Sequence, residues 1–473
     1  MIITLVAAAS AASLDNVEVG GVWGTPLAEN PTAIWWNPAG LSQAHGTQVL
    51  IEGAPTLGHV TYVREDPYNP GTDTFRLQGV LPFAGISSDF GVKGLGVGAA
   101  LIVPFVRGGE AESAAAGPAS FAMNRADVRT INGALAVGYQ PEGVPVALGI
   151  SGQFVHSEWT ANLDTELTTS LDSQIAALGQ DSGYTDAQIE NQDYAANLDF
   201  GKLSDNTFTF SAGIHADLEP FKLALAYVHG TSLQNAGDVT MNLNCPPTTD
   251  TLGRFGAEAY GLCYATMAAH AVVAYKLPGR LQGALGFAPN DDTALQFMGA
   301  YVFWSAYKDF DITVKDVENL NDLQNPAAAP LLNQHRFWAR DNVDTYWLGV
   351  DGKFRIKDIV ILGARVIYDH HGVPNVALSP NNVDTDVFSL APSVTVDIKN
   401  KVRIGASYGH SFFTARDVDD NGFAVTLDQE NRNEDRYFYP QMNGQYSGSI
   451  DRIGVVVSGR FGVKEEDEGK APF

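Results

Sequence analysis

The sequence reads as an all-β protein, a fourteen-stranded antiparallel transmembrane β-barrel, on three observations. From Gly46 onward, apolar residues alternate with polar or small ones over segments of about ten residues, the length that a tilted membrane strand needs. The connections between these segments are alternately short and long, which collects the long loops at one end. No stretch reaches the roughly 18 consecutive apolar residues of a membrane helix, so strands closed into a barrel are the remaining way for this chain to cross a bilayer.

Composition narrows the partners. Lys and Arg number 29 against 54 Asp and Glu, a net charge of −25 over 473 residues, which repels phosphate backbones and excludes nucleic acid as a partner. The 48 glycines and 10 % aromatic residues suit closely packed strands with interfacial girdles. Two cysteines are too few for a disulfide scaffold.

At the N-terminus, Met1–Ser13 is apolar and small, with an alanine-rich run of Ala-x-Ala character at Ala9–Ala12. It reads as a secretory signal without the usual basic start. Next comes Trp35-Trp36-Asn37-Pro38-Ala39-Gly40-Leu41, a poor helix and a poor strand. Pro38 lacks a backbone donor and pushes Asn37 towards extended geometry, while Gly40 permits a tight turn.

The strand segments follow at 46–64, 74–86, 92–106, 126–140, 144–160, 205–217, 221–241, 264–287, 293–312, 344–355, 358–369, 386–398, 401–414 and 447–461. Ser87–Gly91, Pro141–Gly143, Leu218–Pro220, Ala288–Asp292, Ile356–Lys357 and Lys399–Asn400 are the short turns. The long loops are 107–125, 161–204, 242–263, 313–343, 370–385 and 415–446, with a shorter one at 65–73. Faces agree with a barrel. In 401–414, Val402, Ile404, Ala406 and Tyr408 oppose Arg403, Gly405, Ser407 and Gly409, one apolar face for lipid and one polar, glycine-rich face for a lumen. A soluble sandwich with one wet face per strand would scatter its loop lengths between both ends.

The third segment stands out. Gly94, Gly96 and Gly98 share a face stripped of side chains, against which another backbone can lie. Pro104 then interrupts the strand, marking either a local gap in the wall or the loop end of an intact strand. Gly-x-Gly-x-Gly is no nucleotide fingerprint here, because no helix follows.

These pieces, in their order, resemble the FadL/TodX-type outer-membrane transporters of long-chain fatty acids and hydrophobic compounds. Besides Trp36-Asn37-Pro38-Ala39-Gly40-Leu41, the resemblance rests on Lys276-Leu277-Pro278, Leu285-Gly286-Phe287-Ala288-Pro289 and Phe303-Trp304-Ser305-Ala306-Tyr307-Lys308-Asp309-Phe310. It continues in Leu362-Gly363-Ala364-Arg365-Val366-Ile367-Tyr368-Asp369, with Val373-Pro374 and Pro380 after it. It implies a Gram-negative outer-membrane location and a division into signal (1–13), N-terminal hatch (14–45) inside the lumen, barrel (46–462) and acidic periplasmic tail (463–473). Asn37, Pro38 and Ala39 would be the hatch motif. Gly94, Gly96, Gly98 and Pro104 would form the hatch-facing wall and a lateral exit. The tail departs from the family, which usually ends on a terminal aromatic; here Phe461 ends the last strand.

Other constellations carry alternatives. Thr165–Leu178 has helical spacing, with Leu167, Leu171, Ile175 and Leu178 on one face; by the resemblance it forms an outer hydrophobic groove, otherwise it covers the barrel mouth. Cys245 and Cys263 bracket a long loop and are expected to pair in an exported protein. Asp417, Asp419, Asn421 and Asp428 have the spacing of a structural calcium loop or of an acidic, solvated turn. Lumen-facing Arg355, Arg365, Arg403 and Arg452 would hold a substrate carboxylate or pair with Asp351 and Asp369 in the wall. No catalysis is expected: Gly405-Ala406-Ser407-Tyr408-Gly409 has the Gly-x-Ser-x-Gly spacing but lies within a strand segment with no helix after it, and Gly409-His410-Ser411-Phe412-Phe413 lacks the last glycine. No cofactor is implied.

The expected function is passive uptake of long-chain fatty acids or other hydrophobic compounds by a monomer in contact with outer-membrane lipid. A non-transport barrel (adhesin, receptor or structural porin) is the alternative. A lumen cavity lined by Leu, Phe and Trp beside Asn37 would discriminate the two.

Overall fold

The computed structural model describes residues 18–65, 70–113, 117–166, 195–245, 248, 263–319, 335–357, 359–399, 401–421, 424–426, 436–438 and 442–462. The signal, the groove residues Leu167, Leu171, Ile175 and Leu178, the calcium candidate Asp428 and the acidic tail lie outside them.

Fourteen strands form the wall: β1 (Thr47–Arg64), β2 (Gly71–Ser88), β3 (Leu95–Ile102 and Val106–Ala111), β4 (Arg125–Tyr139), β5 (Val146–Glu166), β6 (Ala195–Leu218), β7 (Phe221–Val228 and Thr231–Leu243), β8 (Thr266–Leu277 and Arg280–Asn290), β9 (Thr293–Val302 and Asp309–Asn319), β10 (His335–Ala339 and Thr345–Ile356), β11 (Val360–Asp369), β12 (Val387–Ile398), β13 (Val402–Val418) and β14 (Gly444–Phe461). Each pairs antiparallel with the next. β1 pairs with β14 from Thr47↔Phe461 to Arg64↔Gly444, so the cylinder has no edge. A small hairpin, Ala424–Thr426 with Arg436–Phe438, adds to the first part of β10. No helix among the described residues is long and apolar enough to cross a membrane.

Period-2 alternation sorts the faces as expected. Ile51, Leu135, Leu148, Ile150, Leu348, Ile404 and Val455 are exposed outwards, with buried neighbours between them. Tyr301, Tyr346, Tyr368, Phe388 and Phe412 make an outward aromatic row across β9–β13 near the long-loop end, where amphipathic rings suit a membrane–water interface. Two strands exceed expectation. β5 and β6 have 21 and 24 residues, more than the roughly 9–11 that span a bilayer. Thr165 and Glu166 accordingly belong to β5 rather than to a helix.

The chain before β1 crosses the lumen. Its single helical turn (Ala33–Trp36) is followed by a 3₁₀ turn (Pro38–Gln43) with extended Asn37 between them. One wall receives it. Gly96, Gly138, Gly149 and Gly213 are successive cross-strand partners on β3, β4, β5 and β6, a transverse row of glycines on the inner face. Backbone fills the space where their side chains would be. A Cβ on Gly96 would lie 2.0 Å from the Leu41 carbonyl, on Gly138 2.5 Å from that of Pro38, on Gly149 2.2 Å from the Ala39 nitrogen, and on Gly213 2.1 Å from Asn37 Oδ1. Gly98 meets Ile34. Gly94 differs from expectation: it lies in the turn before β3 at φ +74°, where a Cβ would strike the Gln140 carbonyl at 2.2 Å, so its absent side chain serves the turn and not the packing of residues 33–43.

Gly149→Val is therefore expected to expel residues 33–43 from the wall while the barrel stays closed. Limited chymotrypsin digestion reads this as new cleavage at Trp35–Trp36 in a protein that still migrates as a folded barrel. Gly152→Val, with open space around it, is the neutral control.

Candidate functional site: an apolar lumen cavity beside an unpaired stretch of wall

Asn37 holds the N-terminal segment against the glycine row. Its Nδ2 donates to the Ile214 carbonyl of β6 at 3.0 Å, and its Oδ1 accepts from the Ala39 N–H at 3.2 Å, capping the 3₁₀ turn that Pro38 begins. On the far side, Gln282 of β8 donates to the Trp36 carbonyl at 2.5 Å, and Trp36 donates to the Val19 carbonyl at 2.8 Å. The Arg280 guanidinium lies 4.3 Å from the Trp35 ring centroid, and Trp36 packs edge-on against Trp347 at 5.9 Å. Trp23 reaches Thr395 of β12 at 3.1 Å.

The lumen-facing arginines belong to this same assembly. Arg365 sits between the Asp351 carboxylate (3.0 Å) and the carbonyls of Gly21 (2.9 Å) and Val22 (2.8 Å). Arg452 pairs with Glu18, and Arg403 with Asp397 at 2.7 Å. Arg355 lines a cleft at the short-turn end together with Lys353, Asp351 and Glu29. Arg365 and Arg452 thus tie the N-terminal segment to the wall and Arg403 pairs within it; none of the four borders the apolar cavity described next.

That cavity lies nearer the long-loop end. Phe75, Leu77, Trp159, Leu163, Phe310 and Phe413 give it an apolar lining around a cavity of about 60 Å³. No residue of 18–46 borders it, so it is not beside Asn37, as the sequence led one to expect. Three arginines are among its lining residues: Arg107 from β3, Arg125 from the start of β4 and Arg340 from the break in β10. Arg340 is buried, stacks 4.4 Å from the Phe310 centroid and donates to Asn381 Oδ1 at 2.7 Å. Asp384 closes this polar end; its Oδ2 accepts from the N–H groups of Gly372 and Val373 at 2.6 and 3.0 Å. Burial pushes its carboxyl up to about 7, against the pull of those donors and of Arg107 and Arg416. Residues 380–385, in the loop after β11, fold into the lumen and line the cavity.

Beside the cavity the wall is incomplete. The β2–β3 ladder stops at Phe83↔Ile102 and resumes at Arg76↔Glu110, leaving β2 residues 77–82 without ladder partners on that side. Pro104 lies in the break, residues 103–105, between the two parts of β3. Ala54, Leu81, Val103 and Val106 pack into a separate small apolar cluster there. Leu77 borders both the gap and the cavity.

The remaining candidates separate. Cys245 and Cys263 are joined by a disulfide. Asp417 pairs with Gln445 within the β13–β14 ladder, and Asn421 Oδ1 accepts from the Met442 N–H while its Nδ2 donates to the Leu378 carbonyl. Asp428, the fourth residue of the calcium candidate, lies outside the described residues. His410 bonds Asp451 and Ser411 bonds Ser389; as strand neighbours they face opposite ways and form no nucleophile–base pair.

A closed barrel whose lumen is crossed by its own N-terminal segment defines the class: a plugged outer-membrane barrel. The family model described as "Outer membrane protein transport protein (OMPP1/FadL/TodX)" matches residues 1–461, and the chain belongs to this FadL/TodX family of outer-membrane transporters of hydrophobic compounds. Among solved structures it is similar to a Pseudomonas aeruginosa FadL homologue (14 % identity, TM-score 0.73, covering 96 % of this chain and 100 % of that one). It is also similar to the P. putida toluene transporter TodX (14 %, 0.62, 92 % and 95 %) and the monoaromatic hydrocarbon channel CymD (14 %, 0.55, 91 % and 93 %). No curated protein matches the sequence.

Asn37→Ala leaves the Ile214 carbonyl and the Ala39 N–H without their side-chain partner, a loss of about 1–3 kcal/mol per buried group. Amide hydrogen exchange over residues 33–43 is expected to accelerate roughly tenfold or more, with the β6 ladder unchanged.

Proposed function

We propose that this protein takes up long-chain fatty acids or other amphiphilic hydrophobic compounds by diffusion. The apolar cavity receives the substrate from the long-loop side. Burying its chain contributes about 25 cal/mol per Å² of apolar surface, and Arg107 and Arg340 meet its polar head. The N-terminal segment is the hatch, with Asn37, Pro38 and Ala39 resting on the glycine row. Exit is sideways into the membrane, between β2 and β3, where the ladder between the two strands is interrupted and Leu81, Val103 and Val106 would part. The observation that carries this reading is the adjacency of an apolar cavity, two guanidinium groups and a stretch of wall without ladder hydrogen bonds. An adhesin or structural porin has no use for that adjacency.

Bare hydrocarbons are the second reading. It is favoured by Asp384, which stands beside Arg107 and Arg416 and offers Arg107 a partner without any ligand. Uptake of labelled oleate and labelled toluene, in cells lacking other transporters of either, separates the two. Arg340→Met is expected to lower oleate uptake roughly 10- to 100-fold, the value of about 1.5–3 kcal/mol for a hydrogen bond to a charged group, and to leave toluene uptake unchanged. Equal loss of both, or of neither, contradicts an anionic head group at this position.

A further inference from the structure

The chain leaving β11 brings two imidazoles and a carboxylate to one point. Neighbouring residues in a strand face opposite sides, but His370 and His371 follow the last ladder residue, Asp369, and escape that alternation. Their Nδ1 atoms lie 2.9 and 2.6 Å from the same oxygen, Oδ1 of Asp386, just before β12. One donor atom from each of the three residues lies within 4.8 Å of the others.

The carboxylate is held in place by two further donors. The Tyr368 hydroxyl donates to Oδ2 at 3.0 Å, and the His371 N–H donates to Oδ1 at 3.1 Å. The His370 ring stacks on Tyr346 with centroids 5.2 Å apart. The three side chains keep 35 %, 32 % and 28 % of their surface exposed, so an ion can reach them from solution at the rim of the outward aromatic row.

We propose that His370, His371 and Asp386 bind a divalent transition-metal ion. Two imidazoles and one carboxylate suit zinc, copper or nickel; calcium and magnesium prefer an all-oxygen shell. Three protein ligands with an open position is the pattern of an accessible zinc site. Tyr368 supplies the outer hydrogen bond that orients the ligating carboxylate. The hydrogen-bonded spacing must open slightly. Donors at about 2.0–2.1 Å from a tetrahedral zinc stand roughly 3.4 Å apart, so each ring moves outward by less than about 1 Å. Arg416 is the neighbouring cation, and it is held on the carbonyls of Val373 and Asp384 and on Asn375. The site is separate from the cavity and does not depend on the transport reading. It would clasp the neck of the loop whose residues 380–385 line that cavity.

The test uses the full chain in detergent, purified without a polyhistidine tag. Equilibrium dialysis is expected to saturate at one Zn²⁺ per chain. His370→Gln and His371→Gln should each weaken binding about tenfold or more, and His410→Gln, whose ring is engaged with Asp451 on β14, should leave it unchanged. Cu²⁺ bound to the unmodified protein should show nitrogen couplings from two imidazoles by electron paramagnetic resonance, a readout independent of how the variants fold. Absence of saturable binding, affinity retained in the double histidine variant, or copper spectra without two nitrogens would overturn the assignment.

Discussion

Four glycines that pair with one another across β3, β4, β5 and β6 let the backbone of residues 37–41 lie directly on the barrel wall. A single Cβ at any of them would overlap a main-chain atom or the Asn37 amide, and backbone cannot turn aside as a flexible side chain can. Close approach is what allows Asn37 to reach the Ile214 carbonyl. It also lets the two tryptophans before it fill the lumen against Arg280, Gln282 and Trp347. The opposite wall answers with Arg365, Arg452 and Thr395, which meet the Gly21 and Val22 carbonyls, the Glu18 carboxylate and the Trp23 indole N–H. The backbone hydrogen bonds of this segment are divided between its own short turns and side chains of the wall.

Above this plug the lumen changes character. The inward-folded loop after β11 and the break in β10 bring Pro380, Asn381 and Arg340 to the aromatic residues of β2, β5, β9 and β13. The break in β3 removes ladder hydrogen bonds at the same place. Removing backbone pairing from a membrane wall is costly unless the exposed groups are sheltered. Here Leu81, Val103 and Val106 shelter them, as a cluster separate from the main core.

The barrel was legible in the sequence because lipid on one side and lumen on the other impose strict alternation, and because loop length separates the two ends. The plug and the bare face of Gly96 and Gly98 were legible because glycine and the Asn-Pro pair have few other uses in a strand-rich chain. What escaped is long-range. Gly138, Gly149 and Gly213 are unremarkable in their own strands and become a row only once register is fixed. Arg107 and Arg340 stood at the edges of long loops, and nothing local says that those loops fold inward. The lumen-facing arginines of β10–β14 looked available because the carbonyls that Arg365 meets belong to a segment more than 300 residues away.

The central claim is that the N-terminal segment must shift for a hydrophobic molecule to pass. Gln43 and Gln140 touch through their amides at 2.8 Å, and the native Cys245–Cys263 pair leaves no other thiol. In a Gln43→Cys, Gln140→Cys variant a bis-methanethiosulfonate spacer, standing in for the length of the two glutamine side chains, ties plug to wall through reducible bonds. Uptake of labelled oleate should be blocked when this tether is in place and restored on reduction, with the unmodified protein insensitive to the same reagents. Undiminished uptake with the tether closed would contradict the account.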